Sequence, residues 1–305
     1  MLNLKKAIFL GSKEFGLNIF KSVFESDTSI NWKVLTPDDS QDARSNLKNF
    51  QNFTQSNKLD LITVDSPSKV QSIVDEFAPE IMLVIGYYRI LPQEIIDSID
   101  YGVWGIHNSL LPKYRGGSPL VWQLINGEEE VGSSFFRFSS GMDDGKVLHQ
   151  VKFINKNSIN IDEAMKNIEK LWVASLPIIW KNYLSESIFP YEQNHDLATY
   201  CSQRKEQDGI IDWSLDAFEL DRFIRSQSKP YPMAFFYHAD NLLRIYKHEV
   251  DNRTIYGSPG QVFEVKNSYV TICCGNNTAL RLIQVELEND QYPANKFLNS
   301  IKIRL

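Results

Sequence analysis

The chain has 305 residues, enough for two domains, and its 43% hydrophobic and 23% charged content is ordinary for a globular protein with a sizeable core. A formal net charge of -6 disfavours a nucleic acid partner held by broad electrostatics, which needs a basic face. No apolar run reaches ~18 residues, so no membrane span is expected, and the first six residues lack the apolar core of a signal peptide.

Residues 6–10 read as a short buried strand ended by Gly11. Ser12 is the expected cap of a helix whose apolar positions Phe15, Ile19, Phe20, Val23 and Phe24 recur at helical spacing. Lysine at position 13 breaks the G-x-G-x-x-G pattern, which excludes the dinucleotide fingerprint. A second strand is expected at residues 31–35, followed by a polar loop carrying Asp38, Asp39 and Asp42 with Arg44 as nearby compensation. An amphipathic stretch at 47–53, a strand at 59–64 and a helix opened by Ser66-Pro67 come next. Residues 81–85 (IMLVI) form the continuous apolar run of a central parallel strand, which ends in a loop over 86–92. A helix over 93–99 leads to a strand at 101–106, whose tip delivers His107. Strand and helix alternate throughout, as in a parallel sheet with crossover helices.

Ser118-Pro119 marks the start of a short helix to Ile125, stopped by Asn126-Gly127. Strands are expected at 133–138 and 147–154, joined by a loop containing Gly141-Met142-Asp143-Asp144-Gly145. Asn160 and Glu163 give a capping pair for a long helix to about Tyr183, with Ile161, Ala164, Ile168, Leu171, Ser175, Ile178 and Asn182 on one face and a kink at Pro177. Beyond a polar stretch at 192–199 the pattern changes. Five short strands (233–238, 242–250, 261–265, 269–274 and 280–287) with glycine or asparagine turns indicate a small antiparallel barrel of the OB type. The domains are therefore expected at 1–190 and 191–305. Cys201, Cys273 and Cys274 lack metal-ligand spacing, and the adjacent pair should face opposite sides of one strand. A reducing, cytoplasmic compartment fits this usage.

His107 and Asp143 both lie in loops at strand ends of the same sheet, where α/β crevices form. Together they would make a general base or proton relay; separately, a strand cap and a turn former. Ser109 lacks a nucleophile elbow, so hydrogen bonding within its loop is the expected role. Lys113 and Arg115 either hold a phosphate or carboxylate or form a solvated pair. Tyr87 and Tyr88 either stack on a flat ring or pack at the loop mouth.

The run His107-Asn108-Ser109-Leu110-Leu111-Pro112-Lys113-Tyr114-Arg115-Gly116 resembles the H-x-S-L-L-P-x-x-R-G signature of the folate-dependent formyltransferases. The likeness extends to the loop 86–92 and to Gly141-Met142-Asp143-Asp144-Gly145, which is similar to the family's loop with the catalytic aspartate. In the second half it extends to Gly209-Ile210-Ile211-Asp212-Trp213 and to Ile224-Arg225-Ser226 through Pro230-Tyr231-Pro232. Within the family, Tyr87-Tyr88-Arg89, residues 110–116 and residues 120–127 look most like the sugar-nucleotide N-formyltransferases, such as the formyltransferase domain of the polymyxin-resistance enzyme acting on UDP-4-amino-4-deoxy-arabinose. Methionyl-tRNA formyltransferases carry a basic insertion after the second strand, where this chain is short and acidic.

The resemblance implies an α/β, Rossmann-like catalytic domain with a parallel-rich sheet, followed by the OB-like domain. It implies 10-formyltetrahydrofolate as co-substrate, in a pocket lined by Gly86, Tyr87, Tyr88, Arg89, Ile90 and Leu91, with Asp144 beside it. Ser109, Lys113, Tyr114, Arg115 and Gly116 would face the acceptor. His107 would stabilise the oxyanion and Asp143 would manage the proton and the histidine's charge. The family's catalytic asparagine belongs two residues before the histidine, where this chain has Gly105. The leading expectation is formyl transfer to an amino-sugar nucleotide. The alternatives are an attenuated or non-catalytic member that binds folate or a nucleotide sugar, and a methionyl-tRNA formyltransferase.

Overall fold

In chain order the elements are β1 (Lys6–Gly11), α1 (Lys13–Ser26), β2 (Asn31–Pro37), α2 (Leu47–Ser56), β3 (Asp60–Val64), α3 (Pro67–Phe77), β4 (Ile81–Ile85), α4 (Gln93–Asp97) and β5 (Val103–His107). They continue with β6 (Arg115–Gly116), α5 (Pro119–Ile125), β7 (Glu130–Arg137), β8 (Val147–Ile154), α6 (Ile161–Leu184), β9 (Tyr200–Cys201), α7 (Ala217–Ser226), β10 (Phe235–His238), β11 (Asn241–Asp251), β12 (Val262–Val265), β13 (Val270–Cys273), β14 (Ala279–Leu287) and β15 (Asp290–Pro293). The computed structural model describes every residue except Met1, Asn3, Ala43, Arg44 and Asn157, so the expected compensation of the acidic loop by Arg44 lies outside the described residues. The chain divides into two units. The first comprises Met1–Pro119, Glu130–Phe153 and Met165–Cys201; the second comprises Leu120–Glu129, Ile154–Ala164 and Ser202–Leu305.

Unit 1 is a Rossmann-like α/β layer structure. Its seven-stranded sheet runs β3-β2-β1-β4-β5-β7-β8. The first five strands are parallel, and β7 returns antiparallel to β5. The alternation of side chains along β1 feeds two cores: Ala7 and Phe9 join one with α1 and α6, whereas Ile8 and Leu10 join the other with α3 and α4. All five residues of β4 are buried, as its apolar run requires.

Two local expectations change and two hold. Ser12 does not cap α1; its hydroxyl donates instead to the Gly86 carbonyl at 2.6 Å. Ser66 does cap α3, and Asn160 and Glu163 exchange both bonds of a capping box at 2.9 Å. The buried stripe of α6 is Ile161, Ala164, Ile168, Trp172, Leu176 and Trp180, while Ile178 is exposed. A strict four-residue step puts the two tryptophans into the core, where the sequence reading advanced by three at Leu171 and turned the face away. Pro177 lies inside this helix without ending it.

In unit 2 the second sheet is antiparallel, ordered β10-β11-β14-β13-β12 with β15 on β14, and curls into a half-barrel of the OB-like kind. The sequence reading lacked β15. Its hairpin turns on Glu288 and Asn289, both left-handed (φ 52° and 73°), and no glycine marks the turn. Cys273 and Cys274 are buried in different apolar clusters, and all three cysteines are free.

One buried charge anchors the half-barrel. Asp251 accepts from Arg253 Nη2 at 2.6 Å and from Arg281 Nε at 3.0 Å. These guanidinium bonds, Arg253's first, outweigh desolvation and hold the carboxyl at about 2, below its ordinary 3.8. A depressed carboxyl contributes stability above pH 3.8 and loses it as pH falls toward 2. Replacing Asp251 with Asn is therefore expected to cost roughly 2 kcal/mol at pH 7 and to flatten the decline between pH 4 and 2, read by thermal melting across that range.

Candidate active site

The strand order reverses between β1 and β4, so a crevice is expected at the C-terminal ends of these strands, with β5 next to β4. Ser12 ties the first two tips together through the Gly86 carbonyl. Gly86 has φ +74°, and a Cβ there would lie 2.6 Å from the Ser12 carbonyl oxygen, so the crossing needs glycine. The loop that follows exposes Tyr88, Arg89 and Ile90 and buries Leu91. Tyr87 stacks on Tyr88 with ring centroids 6.1 Å apart. The Tyr87 hydroxyl is buried without a hydrogen-bond partner among the described residues, and that desolvation pushes it above its ordinary range.

Beside these tips, Lys13 Nζ is held by Asp39 at 2.6 Å and Asp42 at 2.8 Å. Burial pulls this ammonium down, and its bonds to the two aspartates more than offset that, for a net rise above 10.5. The cation at the first turn is thus spent inside the protein.

His107 ends β5 and is 8% exposed. Its Nε2 lies 2.7 Å from the Tyr114 carbonyl oxygen, which can only accept, so Nε2 carries the hydrogen. Its Nδ1 faces Asp143 Oδ2 at 3.5 Å. Two acceptors therefore face the two ring nitrogens. The loop behind the ring is stitched to β7. Ser133 Oγ donates to the His107 carbonyl at 3.0 Å and accepts from Trp172 Nε1 at 2.9 Å. Ser134 Oγ donates to the Ser109 carbonyl at 2.6 Å and accepts from Leu111 N at 3.0 Å and from Gln150 Nε2 at 2.8 Å.

Asp143 adopts φ 49°, a left-handed geometry that aspartate tolerates, and its Oδ2 also accepts from Gly116 N at 2.8 Å. Asp144 turns away and accepts from the Ser139 hydroxyl. It lines a cavity of about 670 Å³ beside α4, together with Arg137, Phe138 and His195, whereas neither His107 nor Asp143 lines that cavity.

Of the residues expected to face an acceptor, Lys113 is exposed and Tyr114 and Gly116 are half-buried. Ser109 is fully buried and donates to the Lys113 carbonyl at 2.6 Å. Arg115 is 2% exposed; its Nε and Nη2 both reach Gln193 Oε1, at 3.1 and 2.7 Å. These two side chains are spent holding the loop. Gln193 itself escaped the sequence reading, because a lone glutamine in a polar stretch gives no periodic signal. Gly105 is also not an open gap. A Cβ there would come within 2.7 Å of Phe138 Cζ and 2.8 Å of the Val84 carbonyl oxygen, so the space beside the strand is taken by an aromatic ring.

The sequence profile of the formyl transferase family matches residues 6–173, and that of the formyl transferase C-terminal domain matches residues 204–302. The chain belongs to the formyl transferase family. Like its relatives it is therefore an enzyme, and His107 and Asp143 lie within the matched residues 6–173. It is 28% identical over 292 residues to the methionyl-tRNA formyltransferase of Caldanaerobacter subterraneus subsp. tengcongensis, covering 94% of this chain and 93% of that one. By fold it is similar to WlaRD, a sugar 3N-formyl transferase crystallised in the presence of dTDP and 5-N-formyl-THF (TM-score 0.66, 19% identity, 94% of this chain and 99% of that one). It is also similar by fold to HypX from Aquifex aeolicus (TM-score 0.67, 14% identity, 98% of this chain), of which it spans about half, 49%.

Within this formyl transferase the hydroxyl of Ser134 meets three backbone or amide partners around the signature loop. Ser134→Ala is expected to cost about 1–3 kcal/mol by leaving the Leu111 N–H without its partner. That should lower the melting temperature and raise amide exchange at Leu111 more than at β1, measured by hydrogen exchange.

Proposed function

We propose that this formyl transferase moves a formyl group from 10-formyltetrahydrofolate to the amine of an amino-sugar nucleotide. The reading is carried by the contact between His107 Nδ1 and Asp143 Oδ2 at the tip of β5, 3.5 Å across. Transfer joins the acceptor amine to the formyl carbon and breaks the bond to N10 of the folate, which regains a proton. For that chemistry the protein supplies a carboxylate that can hold the proton the amine gives up, and beside it an imidazole whose Nδ1, the ring nitrogen not held by the Tyr114 carbonyl, would have to turn from Asp143 to donate toward the developing negative charge.

The residues after β4 suit a flat heteroaromatic ring bearing donors and acceptors. The exposed loop offers backbone groups at Gly86 to Ile90, and the buried Tyr87 hydroxyl has no partner among the described residues. Unit 1 is read as the catalytic domain. A sugar nucleotide is favoured over tRNA as acceptor by charge. The β2 tip holds Asp38, Asp39 and Asp42, two of them already engaging Lys13, and the chain carries a formal net charge of -6. The WlaRD likeness supports the same direction, while the 28% identity to a methionyl-tRNA formyltransferase keeps tRNA as the comparison arm of the test.

Tetrahydrofolate release should be followed with 10-formyltetrahydrofolate and UDP- or dTDP-linked amino sugars, and in parallel with charged initiator tRNA. Release with an amino-sugar nucleotide, cut at least ~100-fold by His107→Ala, is the expected result. Release only with tRNA, weakening steeply with salt, would replace the acceptor in this reading.

A second reading, an attenuated member, has its own observation: Phe138 fills the space where a side chain at position 105 would stand. Gly105→Asn alone should then be destabilised rather than activated. Phe138→Leu removes the obstructing ring atoms but leaves the Val84 carbonyl oxygen 2.8 Å from the added Cβ, so the double variant requires β5 to draw away from β4; where it folds, kcat should rise by about 10–100-fold if an oxyanion donor is what the site lacks. A folded double variant with no gain in rate would sink the attenuated reading.

A further inference from the structure

We infer that Gln193 is a positioning residue for Asp143, and that Arg115 serves the same contact from behind it. The inference rests on the reading of His107 and Asp143 as the transfer site, and it concerns a side chain outside the signature motif.

Gln193 is 5% exposed although its neighbours Glu192 and Asn194 are exposed. Its amide makes four bonds. Oε1 accepts from Arg115 Nε and Nη2, at 3.1 and 2.7 Å. Nε2 donates to the Asp143 carbonyl at 2.8 Å and to the Gly145 carbonyl at 2.7 Å. Guanidinium groups only donate and carbonyls only accept, so the amide can sit one way round and no other. Both ends of the Asp143 turn are thereby fixed to one buried side chain. The turn needs such fixing, because Asp143 is left-handed at φ 49°.

The frame that carries Gln193 is itself tied to the signature loop. β9 pairs with β6 in parallel, Arg115 opposite Tyr200 and Gly116 opposite Cys201. Arg115 N donates to the Thr199 carbonyl at 2.9 Å, and Tyr114 N donates to Thr199 Oγ1 at 2.9 Å. One short segment thus grips the residue whose carbonyl holds His107 Nε2, through Tyr114, and the turn whose carboxylate faces His107 Nδ1, through Gln193. Both acceptors around the imidazole are set from the same side. A displacement of about 1 Å at a reacting group typically costs on the order of 100-fold in rate, so the amide governs the reaction without touching it.

The test compares Gln193→Glu and Gln193→Met with Asp143→Asn. Glutamate keeps the bonds to Arg115 but turns an acceptor toward two carbonyls, so it releases the Asp143 turn while leaving the buried guanidinium paired. Methionine keeps the volume and removes every bond, and serves if the glutamate variant fails to fold. Expected are a kcat lower by about 10–100-fold with KM for both substrates within about twofold. The His107 Nδ1 resonance in nitrogen-15 spectra should also move in the same direction as in Asp143→Asn, by a comparable amount. A folded Gln193→Glu protein with unchanged kcat and an unmoved His107 resonance would overturn the inference, as would a lower melting temperature with the resonance in place. The spectra decide Gln193's role even if no acceptor is ever formylated, in which case the functional reading falls and this one is judged separately.

Discussion

A single imidazole held between two acceptors, the Tyr114 carbonyl and the Asp143 carboxylate, is the contact to which the surrounding backbone is fitted. Neither acceptor is close to His107 along the chain in a way that helix or strand geometry would deliver. Tyr114 reaches it through a loop with left-handed residues at 114, 116 and 118. At the non-glycine positions, Tyr114 and Ser118, positive φ costs of order 1 kcal/mol or more each, so the loop persists only because other parts of the fold over-determine it. Ser133, Ser134 and Gln150 hold it from β7 and β8, and Cys201 of β9 and Thr199 just before that strand hold it from the other side. The sheet gives the histidine its place, and side-chain bonds outside the sheet give it its direction.

The apolar side of the ring matters as much as the polar one. Phe136 meets the imidazole edge to face, with centroids 6.2 Å apart, and Phe138 lies beside Phe136 and against Gly105. Aromatic rings exclude water from one flank of the histidine and lower the local polarity, which strengthens its attraction to a carboxylate. Such a flank offers no hydrogen bond to an oxyanion. Phe138 therefore puts a ring where a donor could stand. In strand terms the arrangement is consistent, because only glycine at 105 lets β5 lie this close to both Val84 and the ring.

Much of this was legible in the sequence, and the reasons differ by element. The apolar run of β4, the capping signals at Ser66 and Asn160 and the change of pattern in the second half express local propensities that the fold keeps. His107 and Asp143 were legible because strand tips of a parallel sheet collect reactive groups. What escaped was set by tertiary contacts. Ser109 bonds within its own loop as its residue context suggested, against the acceptor-facing role that the resemblance implied, whereas Arg115 looks available for a ligand in the sequence but is buried against Gln193. Gln193 was invisible because a buried amide between exposed neighbours has no periodicity. The α6 stripe went astray because two tryptophans, each worth more burial than the smaller residues beside them, decide which face of a helix turns inward.

The charge pattern at the strand tips narrows what an acceptor can be under the proposed reading. A polyanion gains affinity in proportion to the number of phosphates it can pair with cations, with each pairing releasing a counterion. Here Lys13 is neutralised by Asp39 and Asp42, and Arg115 is committed to Gln193. Lys113 is the exposed cation remaining in the signature loop. One such cation suits a ligand with one or two phosphates placed at a fixed distance from its amine, since the short diphosphate needs a local partner rather than a field. An extended nucleic acid laid over the β2 tip would instead meet the exposed Asp38 and the half-buried Asp42, with Asp39 buried against Lys13, and each unmatched phosphate there would subtract from binding. The same electrostatics that starve a large polyanion leave a small one selectable, and selection then falls to how far Lys113 stands from the imidazole that must meet the formyl group.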